Sequence, residues 1–505
     1  MSTSENISLK MSYTLPTPII RFCLIILVLA GLIIHPVASF ANNLPDIGNS
    51  AELLMSPEDE RRLGQSFMRQ VRAALPLVDD ITSNEYIQSL GEKLASQIDT
   101  RGQKFTFFIV NDPTINAFAG PAGYIGVHTG LILAAKNEGE LSSVMAHEIA
   151  HVTQRHLFRS IESSQNMSVA TIGALIAAIL LGSQAGGQIG EAVLATTMAG
   201  TQQQQLSYSR AHEQEADRVG IEMLASAGYN PNDMANFFET LEKQSRFSAH
   251  SIPEFLLTHP VTISRIADTR GRAASYKYVP QQKPSKSQPS AFQLLQVRLN
   301  VLATNNEQQK ELIRDFEKSL IKNEKLNHLK LYEMALRYQQ QSNHEKSRKL
   351  LKILLKSDPQ RLAYILASAE NEIDAKNYST AIDLLHNPLL IYPNNLALTT
   401  LDAKASLLNN DVQTATQLLE NQIRSGRFVP ETFKLLANAE QKAGRTSEAY
   451  EALGNYYLYM GEINTSIKHF EEALQKTNND SFRELRLKAI IKQLKGDLVS
   501  NRTTE

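Results

Sequence analysis

Two histidines and a glutamate lie close together in the chain, in the order His147, Glu148 and His151. The surrounding stretch, residues 141–156, contains good helix formers and neither Pro nor Gly, so we predict a single helix there. Positions i and i+4 of a helix share one face, and two imidazoles at that spacing can bind one Zn²⁺. The neighbouring carboxylate can then act as a general base on a water molecule. The pattern indicates metal-assisted hydrolysis, although H-E-x-x-H alone occurs by chance in many helices.

Acidic side chains further along the chain can complete such a site. Glu213 and Asp217 are four residues apart in a second predicted helix and share one face of it. Glu213 could be a third zinc ligand, with water in the fourth position as in catalytic zinc sites. Asp217 could accept the second ring N–H of a ligating histidine and hold its orientation. Glu215 lies about 200° around the helix from Glu213, so both cannot face the metal.

Other residues near these motifs are weaker candidates. A metzincin site would need glycine at position 154 and histidine at position 157, where the chain has Gln154 and Leu157. His156 lies five positions after the second motif histidine and off the ligand face, so we predict a surface residue. His212 directly precedes the candidate glutamate but points elsewhere on the helix, and it ranks below the glutamate as a ligand.

Four motifs in a fixed order resemble the M48 family of zinc peptidases. They are the H-E-x-x-H segment, the S-R-x-x-E-x-x-x-D segment at 209–217, the N-A-F-A-G-P and G-Y-I segments within 116–125, and T-H-P at 258–260 followed by Arg265. The resemblance covers roughly residues 50–275. Four ordered motifs are far more specific than the first motif alone.

The resemblance implies a single zinc ion with three protein ligands, His147, His151 and Glu213. It implies that Glu148 is the general base, which takes a proton from water and delivers it to the leaving amine. A further donor to the oxyanion is needed, and Arg265 and His259 are candidates through their motif. His259 could instead approach the zinc and occupy its open position, which would make the enzyme latent.

The N-terminal residues 1–41 are predicted to be a cleavable signal peptide. Arg21 precedes the apolar run 22–34, and the segment 38–41 supplies small residues at the −3 and −1 positions of a cleavage site after Ala41. The run is short for a membrane span, although an uncleaved anchor is the alternative. The only cysteine, Cys23, lies inside this run, so the mature chain would have no disulfides. A bacterial periplasm fits these features best.

Residues 42–275 are predicted to form the peptidase domain, an α+β zincin-type fold of helices with a small sheet. Strands are expected at 105–110 and 124–129, where β-branched and aromatic residues dominate. An edge strand beside the zinc could bind an extended peptide by β-augmentation. The almost wholly apolar segment 169–182 is too short to span a membrane. It could be a buried helix, a peripheral membrane contact or a flap over the active site.

Residues 276–290 are predicted to be a linker, and residues 291–500 an α-helical tetratricopeptide-repeat solenoid. Small residues recur every 34 positions on predicted inner helix faces, at Ser347, Ala381, Ala415 and Ala449. A 34-residue period of two helices is the signature of tetratricopeptide repeats. We expect about four repeats between roughly residues 325 and 475, flanked by further helices. Such a solenoid offers a concave surface to protein segments.

The predicted whole is therefore mainly α. A length of 505 residues is consistent with more than one domain, and a net charge of −1 gives no indication of nucleic-acid binding. An M48-like peptidase joined to these repeats resembles bacterial peptidases of outer-membrane quality control. That resemblance implies unfolded or stalled outer-membrane β-barrel proteins as clients, with the repeats contacting the barrel-assembly machinery. The alternative is a repeat-based chaperone or scaffold in which proteolysis is secondary or latent.

Overall fold

The structure is a computed structural model, and it describes residues 55–162, 209–247, 253–278, 288–321, 327–478 and 480–502. The predicted signal peptide 1–41, the apolar segment 169–182 and most of the predicted linker lie outside these ranges. Within the described ranges, no helix is both long and apolar enough to cross a membrane. Residues 54–505 belong to one unit.

The region before residue 279 combines helices with one small sheet. Its helices are α1 (Pro57–Ala74), α2 (Ile81–Ala95), α3 (Thr129–Ala134), α4 (Glu138–Thr153), α5 (His156–Glu162), α6 (Arg210–Ser226), α7 (Asn232–Phe247), α8 (Glu254–Thr258) and α9 (Ile263–Ala273). Its strands are β1 (Thr106–Val110), β2 (Ala117–Ala119) and β3 (Tyr124–His128). The strand order is β1-β3-β2, with β1 parallel and β2 antiparallel to β3. The two predicted strands are confirmed to within one residue at each end, and β2 joins them at the far edge of β3.

The single helix predicted over residues 141–156 is wrong at both ends. Asn137 begins α4, because its side chain accepts the N–H of Glu140 and satisfies one of the unpaired donors of the first turn. The helix ends at Thr153, and Arg155 has a left-handed backbone with φ of 54°. A new helix, α5, then begins at His156.

Helix α4 lies inside the core of this region and packs against α6. Leu141, Val144, Met145 and Ile149 are at most 1% exposed and belong to one apolar cluster with residues of the sheet. Gly220 of α6 lies so close that a Cβ placed there would be 3.3 Å from the backbone nitrogen of His147. The absence of a side chain at this position lets the two helices approach, which places the motifs of α4 and α6 side by side.

Residues from 291 onward form helix pairs. They are α10 (Ala291–Ala303), α11 (Asn306–Ile321), α12 (His328–Gln340), α13 (His344–Ser357), α14 (Leu362–Asp374), α15 (Tyr378–Ile391), α16 (Leu396–Leu408), α17 (Val412–Ser425), α18 (Pro430–Lys442), α19 (Thr446–Met460), α20 (Ile463–Lys476) and α21 (Ser481–Arg502). The first helices of four successive pairs begin 34 residues apart, and so do the second helices. The small residues Ser347, Ala381, Ala415 and Ala449 are all buried, as the repeat pattern predicts.

The helix pairs contact the peptidase region through buried ion pairs. Arg298 of α10 donates to Asp80, which caps α2, and to Glu370 of α14. Glu85 of α2 accepts the backbone N–H of Leu396 at 3.1 Å and pairs with Arg427 at 3.2 Å. These contacts connect one end of α2 to both the beginning and the middle of the repeats.

Candidate metal centre

Helix α4 presents three buried polar side chains to one point in the core. His147, Glu148 and His151 are each 2% exposed or less. The Nε2 atoms of the two histidines are 3.0 Å apart, as expected for positions i and i+4 of one helix. Two buried imidazole nitrogens this close together can both bind one further atom, such as a metal ion.

Helix α6 adds a carboxylate, and the segment after α8 adds a third imidazole. Glu213 places Oε2 at 3.5 Å from His147 Nε2 and Oε1 at 3.4 Å from His151 Nε2. His259 places Nδ1 at 3.0 Å from Glu213 Oε1. One ligand atom from each of these four residues lies within 4.8 Å of the others. The structure therefore brings His259 into the same cluster as the three ligands predicted from sequence.

This cluster fits a zinc ion by the chemistry of its donors. Imidazole nitrogens and a carboxylate oxygen are common zinc ligands, and four of them can form a tetrahedral set. Glu148 Oε1 is buried without a hydrogen-bond partner among the described residues, and it lies 3.6 Å from His259 Nε2. A buried polar atom without a partner marks a place where a ligand or ordered water belongs.

Asp217 and Arg265 support the cluster from behind. Asp217 Oδ1 lies 3.0 Å from His147 Nδ1, on the ring edge away from the ligand cluster. Arg265 donates from Nε and Nη2 to the two oxygens of Asp217, at 2.9 and 2.8 Å. Its Nη1 lies 2.7 Å from Glu213 Oε2. The guanidinium is thus engaged by both carboxylates at once, and it fixes their positions relative to each other.

The surroundings shift the pKa values of the two glutamates in opposite directions. Burial alone would raise the pKa of Glu213, but its electrostatic interaction with His259 and its hydrogen bonds with the two motif histidines hold it far below its ordinary value. Burial raises the pKa of Glu148, and the neighbouring His259 and His147 only partly oppose this rise. Glu213 is therefore suited to remain a charged ligand, whereas Glu148 is suited to take up a proton.

His156 is not a surface residue, and the prediction that placed it there is wrong. Its side chain is fully buried, with Nδ1 at 3.0 Å from Nδ1 of His151 and Nε2 at 3.1 Å from Oε2 of Glu215. The left-handed backbone of Arg155 interrupts the helix between His151 and His156, so helical spacing does not determine where the His156 side chain lies. Burial lowers the pKa of His156 to about 4, so the ring is neutral near pH 7.

The remaining candidates lie outside the ligand cluster. Glu215 faces away from it, as helical phase predicts, and reaches His156 instead. The ring of His212 stacks on that of His156 at a centroid distance of 4.4 Å and an interplanar angle of 12°. His128 is buried on β3, with Nδ1 at 2.9 Å from the hydroxyl of Thr114. Sequence reasoning missed the contribution of His156, because no signal of helical phase survives the break at Arg155.

The sequence matches known peptidases over most of its length. The family described as Peptidase family M48 matches residues 82–273. The Beta-barrel assembly-enhancing protease of Escherichia coli (strain K12) is 33% identical over 468 residues, which cover 92% of this chain and 94% of that protein. The chain belongs to peptidase family M48. This M48 peptidase is a metallopeptidase, and its buried cluster of three histidines and a glutamate could hold a metal ion, consistent with an H-E-x-x-H metal site.

Further relatives of the M48 peptidase differ in how much of it they match. A Putative beta-barrel assembly-enhancing protease of Vibrio cholerae is 35% identical over 456 residues, covering 89% of this chain and 92% of its own. The Mitochondrial metalloendopeptidase OMA1 of Arabidopsis thaliana is 30% identical over 186 residues, covering 36% of this chain and 35% of its own. The bacterial relatives therefore match across both the peptidase region and the repeats, whereas the plant mitochondrial one matches about a third of the chain.

Proposed function

We propose that this M48 peptidase is a zinc-dependent endopeptidase of the bacterial periplasm that degrades misassembled outer-membrane β-barrel proteins. The observation that carries the chemistry is the buried convergence of His147, His151, Glu213 and His259 beside the carboxylate of Glu148. The client class is supported by the name of the relatives that match nearly the whole chain. The periplasmic location is supported by the signal-peptide pattern of residues 1–41.

The side chains divide into ligands, a base and supports. We assign His147, His151 and Glu213 as ligands, and zinc bound there would supply a Lewis acid that activates water and polarises the scissile carbonyl. Glu148 accepts the proton of the attacking water and delivers it to the leaving amine, a role that its raised pKa favours. Asp217 orients His147 from the far side of the ring.

His259 and Arg265 take different roles in this proposal. The position of His259 within the ligand cluster supports a fourth-ligand role, in which it closes the coordination site and keeps the peptidase latent. The guanidinium of Arg265 is occupied by Asp217 and Glu213, which supports a role in holding these carboxylates rather than in donating to an oxyanion. Opening of the His259 segment would then precede water binding and catalysis.

The repeats are proposed to recruit clients and the barrel-assembly machinery. A cavity of about 1130 Å³ lies between them and the peptidase region, lined by β1 on one side and by helices of several repeats on the other. The cavity has helices of several repeats along one side, which suits a partly folded segment of a client. Peripheral membrane contact through residues 169–182 remains part of the proposal.

A second function is favoured by the position of His259. If the fourth ligand position is held closed most of the time, the chain acts mainly as a repeat-based periplasmic chaperone that assists barrel assembly, and proteolysis is secondary. The two functions differ in whether the main activity toward clients requires Glu148. A chaperone role would leave the assistance of barrel assembly unchanged when the general base is removed.

Zinc content and degradation of an unfolded protein, compared between wild type and Glu148→Gln, test the proposal. We expect about one zinc per chain in both, because Glu148 is not a ligand. We expect turnover by the variant to fall by about 10²-fold or more, because general-base catalysis contributes on that scale. The exposed Glu58→Gln serves as a control and should retain full activity. Equal turnover by wild type and Glu148→Gln would refute the peptidase assignment.

A further inference from the structure

We propose that Arg159, Glu215 and His156 form a hydrogen-bonded chain that fixes the tautomer and ring orientation of the metal ligand His151. The inference rests on the proposed zinc site and adds positioning residues to it. Neither the H-E-x-x-H motif nor the acidic motif contains His156 or Arg159. Their role follows from three successive contacts, each of which determines where the next proton lies.

The chain starts at an ion pair whose protonation is unambiguous. Arg159 Nη1 lies 2.9 Å from Glu215 Oε2, and a guanidinium remains protonated at all relevant pH values. The same Oε2 atom lies 3.1 Å from His156 Nε2. An ionised carboxylate can only accept hydrogen bonds, so His156 must carry its proton on Nε2 and donate it to Glu215.

The tautomer of His156 then determines that of His151. A neutral imidazole with its proton on Nε2 has a lone pair on Nδ1, and this atom lies 3.0 Å from His151 Nδ1. Two lone pairs would repel at that distance, so His151 must carry its proton on Nδ1. The Nε2 atom of His151 is left with the lone pair directed at His147 and Glu213. This is the tautomer that can bind zinc through Nε2.

Helices α5 and α6 place these residues so that the hydrogen-bonded chain and the ligand cluster use different side chains. Glu213 and Glu215 lie on different faces of α6, one toward the ligand cluster and the other toward His156. His156 and Arg159 lie one turn apart at the start of α5 and both reach Glu215. His212 stacks on the His156 ring and limits its rotation. The break between α4 and α5 therefore allows the ring of His156 to contact that of His151.

The two motif histidines thus have different supports. His147 has a carboxylate, Asp217, on its second nitrogen, and His151 has the neutral ring of His156. A carboxylate raises the basicity of a ligating imidazole, whereas a neutral ring mainly fixes its tautomer and direction. Loss of the His156 contact should therefore act through metal affinity.

Two substitutions at His156 separate its contact with His151 from its contact with Glu215. The zinc dissociation constant of each full-length variant is measured by competition with a chelator. His156→Asn places an amide oxygen near the position of Nδ1 and keeps an acceptor for His151. His156→Gln places its amide near the position of Nε2, so it keeps the contact with Glu215 but removes the acceptor. We expect the zinc dissociation constant to rise about 10- to 100-fold for His156→Gln, the usual effect of losing such support, and about threefold or less for His156→Asn.

Glu215→Gln extends the test to a side chain that is 27% exposed. Its amide can donate as well as accept, so it no longer selects one tautomer of His156, and we expect a several-fold weaker zinc affinity. His128→Gln is the matched control, because His128 is also buried and hydrogen-bonded but lies outside the ligand cluster. The midpoint of thermal unfolding of each metal-free protein shows which variants are folded.

The outcomes separate this inference from the proposed function. If the folded His156→Gln and Glu215→Gln proteins bind zinc as tightly as wild type, the inference is overturned. Equal losses in His156→Asn and His156→Gln also overturn it, because they would point to packing rather than to the Nδ1 contact. If the wild type itself binds no zinc, the proposed function fails instead.

Discussion

At the scale of single residues, the metal centre balances its charges through Arg265. Glu213 and Asp217 are buried carboxylates on adjacent turns of α6, and each has the guanidinium of Arg265 within 2.8 Å. Without that cation, two negative charges on one face of a helix would repel each other in a medium of low dielectric constant. The T-H-P segment and Arg265 belong to the same stretch of chain, so the residue that steadies the carboxylates also anchors the segment that carries His259.

Substitution of His259 by Ala separates its possible roles. As a fourth ligand that closes the site, His259 should hold zinc and suppress cleavage, so His259→Ala should weaken zinc affinity about tenfold or more and raise the initial rate on a short peptide. As an oxyanion donor, it should instead leave affinity intact, and cleavage should fall by about 10²-fold. Chelator competition measures the zinc affinity. Peptide cleavage, measured separately with saturating zinc, then shows which of the two roles His259 has. If neither quantity changes, His259 has no role at the metal.

The neutral state of His156 gives the metal-free protein a specific pH dependence. Burial lowers the pKa of this histidine from 6.5 to about 4, so between these values the unfolded chain binds a proton that the folded chain does not. The free energy of unfolding should therefore fall as pH drops from 6.5 to 4, and the contribution of His156 should be complete above 6.5. Asn cannot titrate, so the unfolding free energy of His156→Asn, measured by urea unfolding at several pH values, should depend less steeply on pH than that of the wild type. An unchanged slope would mean that His156 titrates alike in both states.

At the scale of elements, sequence patterns predicted those features of the site that depend on spacing within one helix. The i, i+4 pairs on α4 and α6 follow from helical geometry alone, so Glu213 could be preferred to Glu215 without a structure. The contact of His259 with Glu213 depends on how α8 packs. The two residues are 46 positions apart in sequence, and no local pattern predicts that they meet in space. The family motif supplied His259 as a candidate, but the position of His156 depended on a single left-handed residue after α4.

The approach of α6 to α4 depends on Gly220 and can be tested there. A methyl group at this position would lie 3.0 Å from Met234 Cε and 3.3 Å from the His147 nitrogen, so Gly220→Ala should push the helices apart. We expect a loss of about 1–3 kcal/mol in unfolding free energy, together with weaker zinc binding as Glu213 moves away. Gly271→Ala is the control, because Gly271 is a helical glycine with open space around it. That change should stabilise by about 0.5–1 kcal/mol. Equal effects of the two substitutions would contradict this account of the packing.

At the scale of the whole molecule, the repeats are attached to the peptidase region by buried charges as well as by packing. Arg298 is 7% exposed and bonds to Asp80 on one side and to Glu370 on the other. The predicted linker between the two regions gave no indication of such contacts, because composition describes the connection and not the surfaces that it joins. Asp80 and Glu370 are far apart in sequence, yet both bond to Arg298 in the contact between the two regions.

Removal of Arg298 should show whether the two regions unfold together. Arg298→Gln leaves Asp80 and Glu370 buried without their cation, which typically costs about 3–5 kcal/mol. Because both carboxylates belong to the contact between the regions, we expect the loss to weaken that contact most and to split one calorimetric transition into two. Arg270→Gln is the control, since Arg270 pairs with Glu239 at a surface where both side chains are more than one-third exposed. That variant should keep the transition pattern of the wild type and lose about 1 kcal/mol or less. A single transition in Arg298→Gln, merely shifted to lower temperature, would show that other contacts couple the regions.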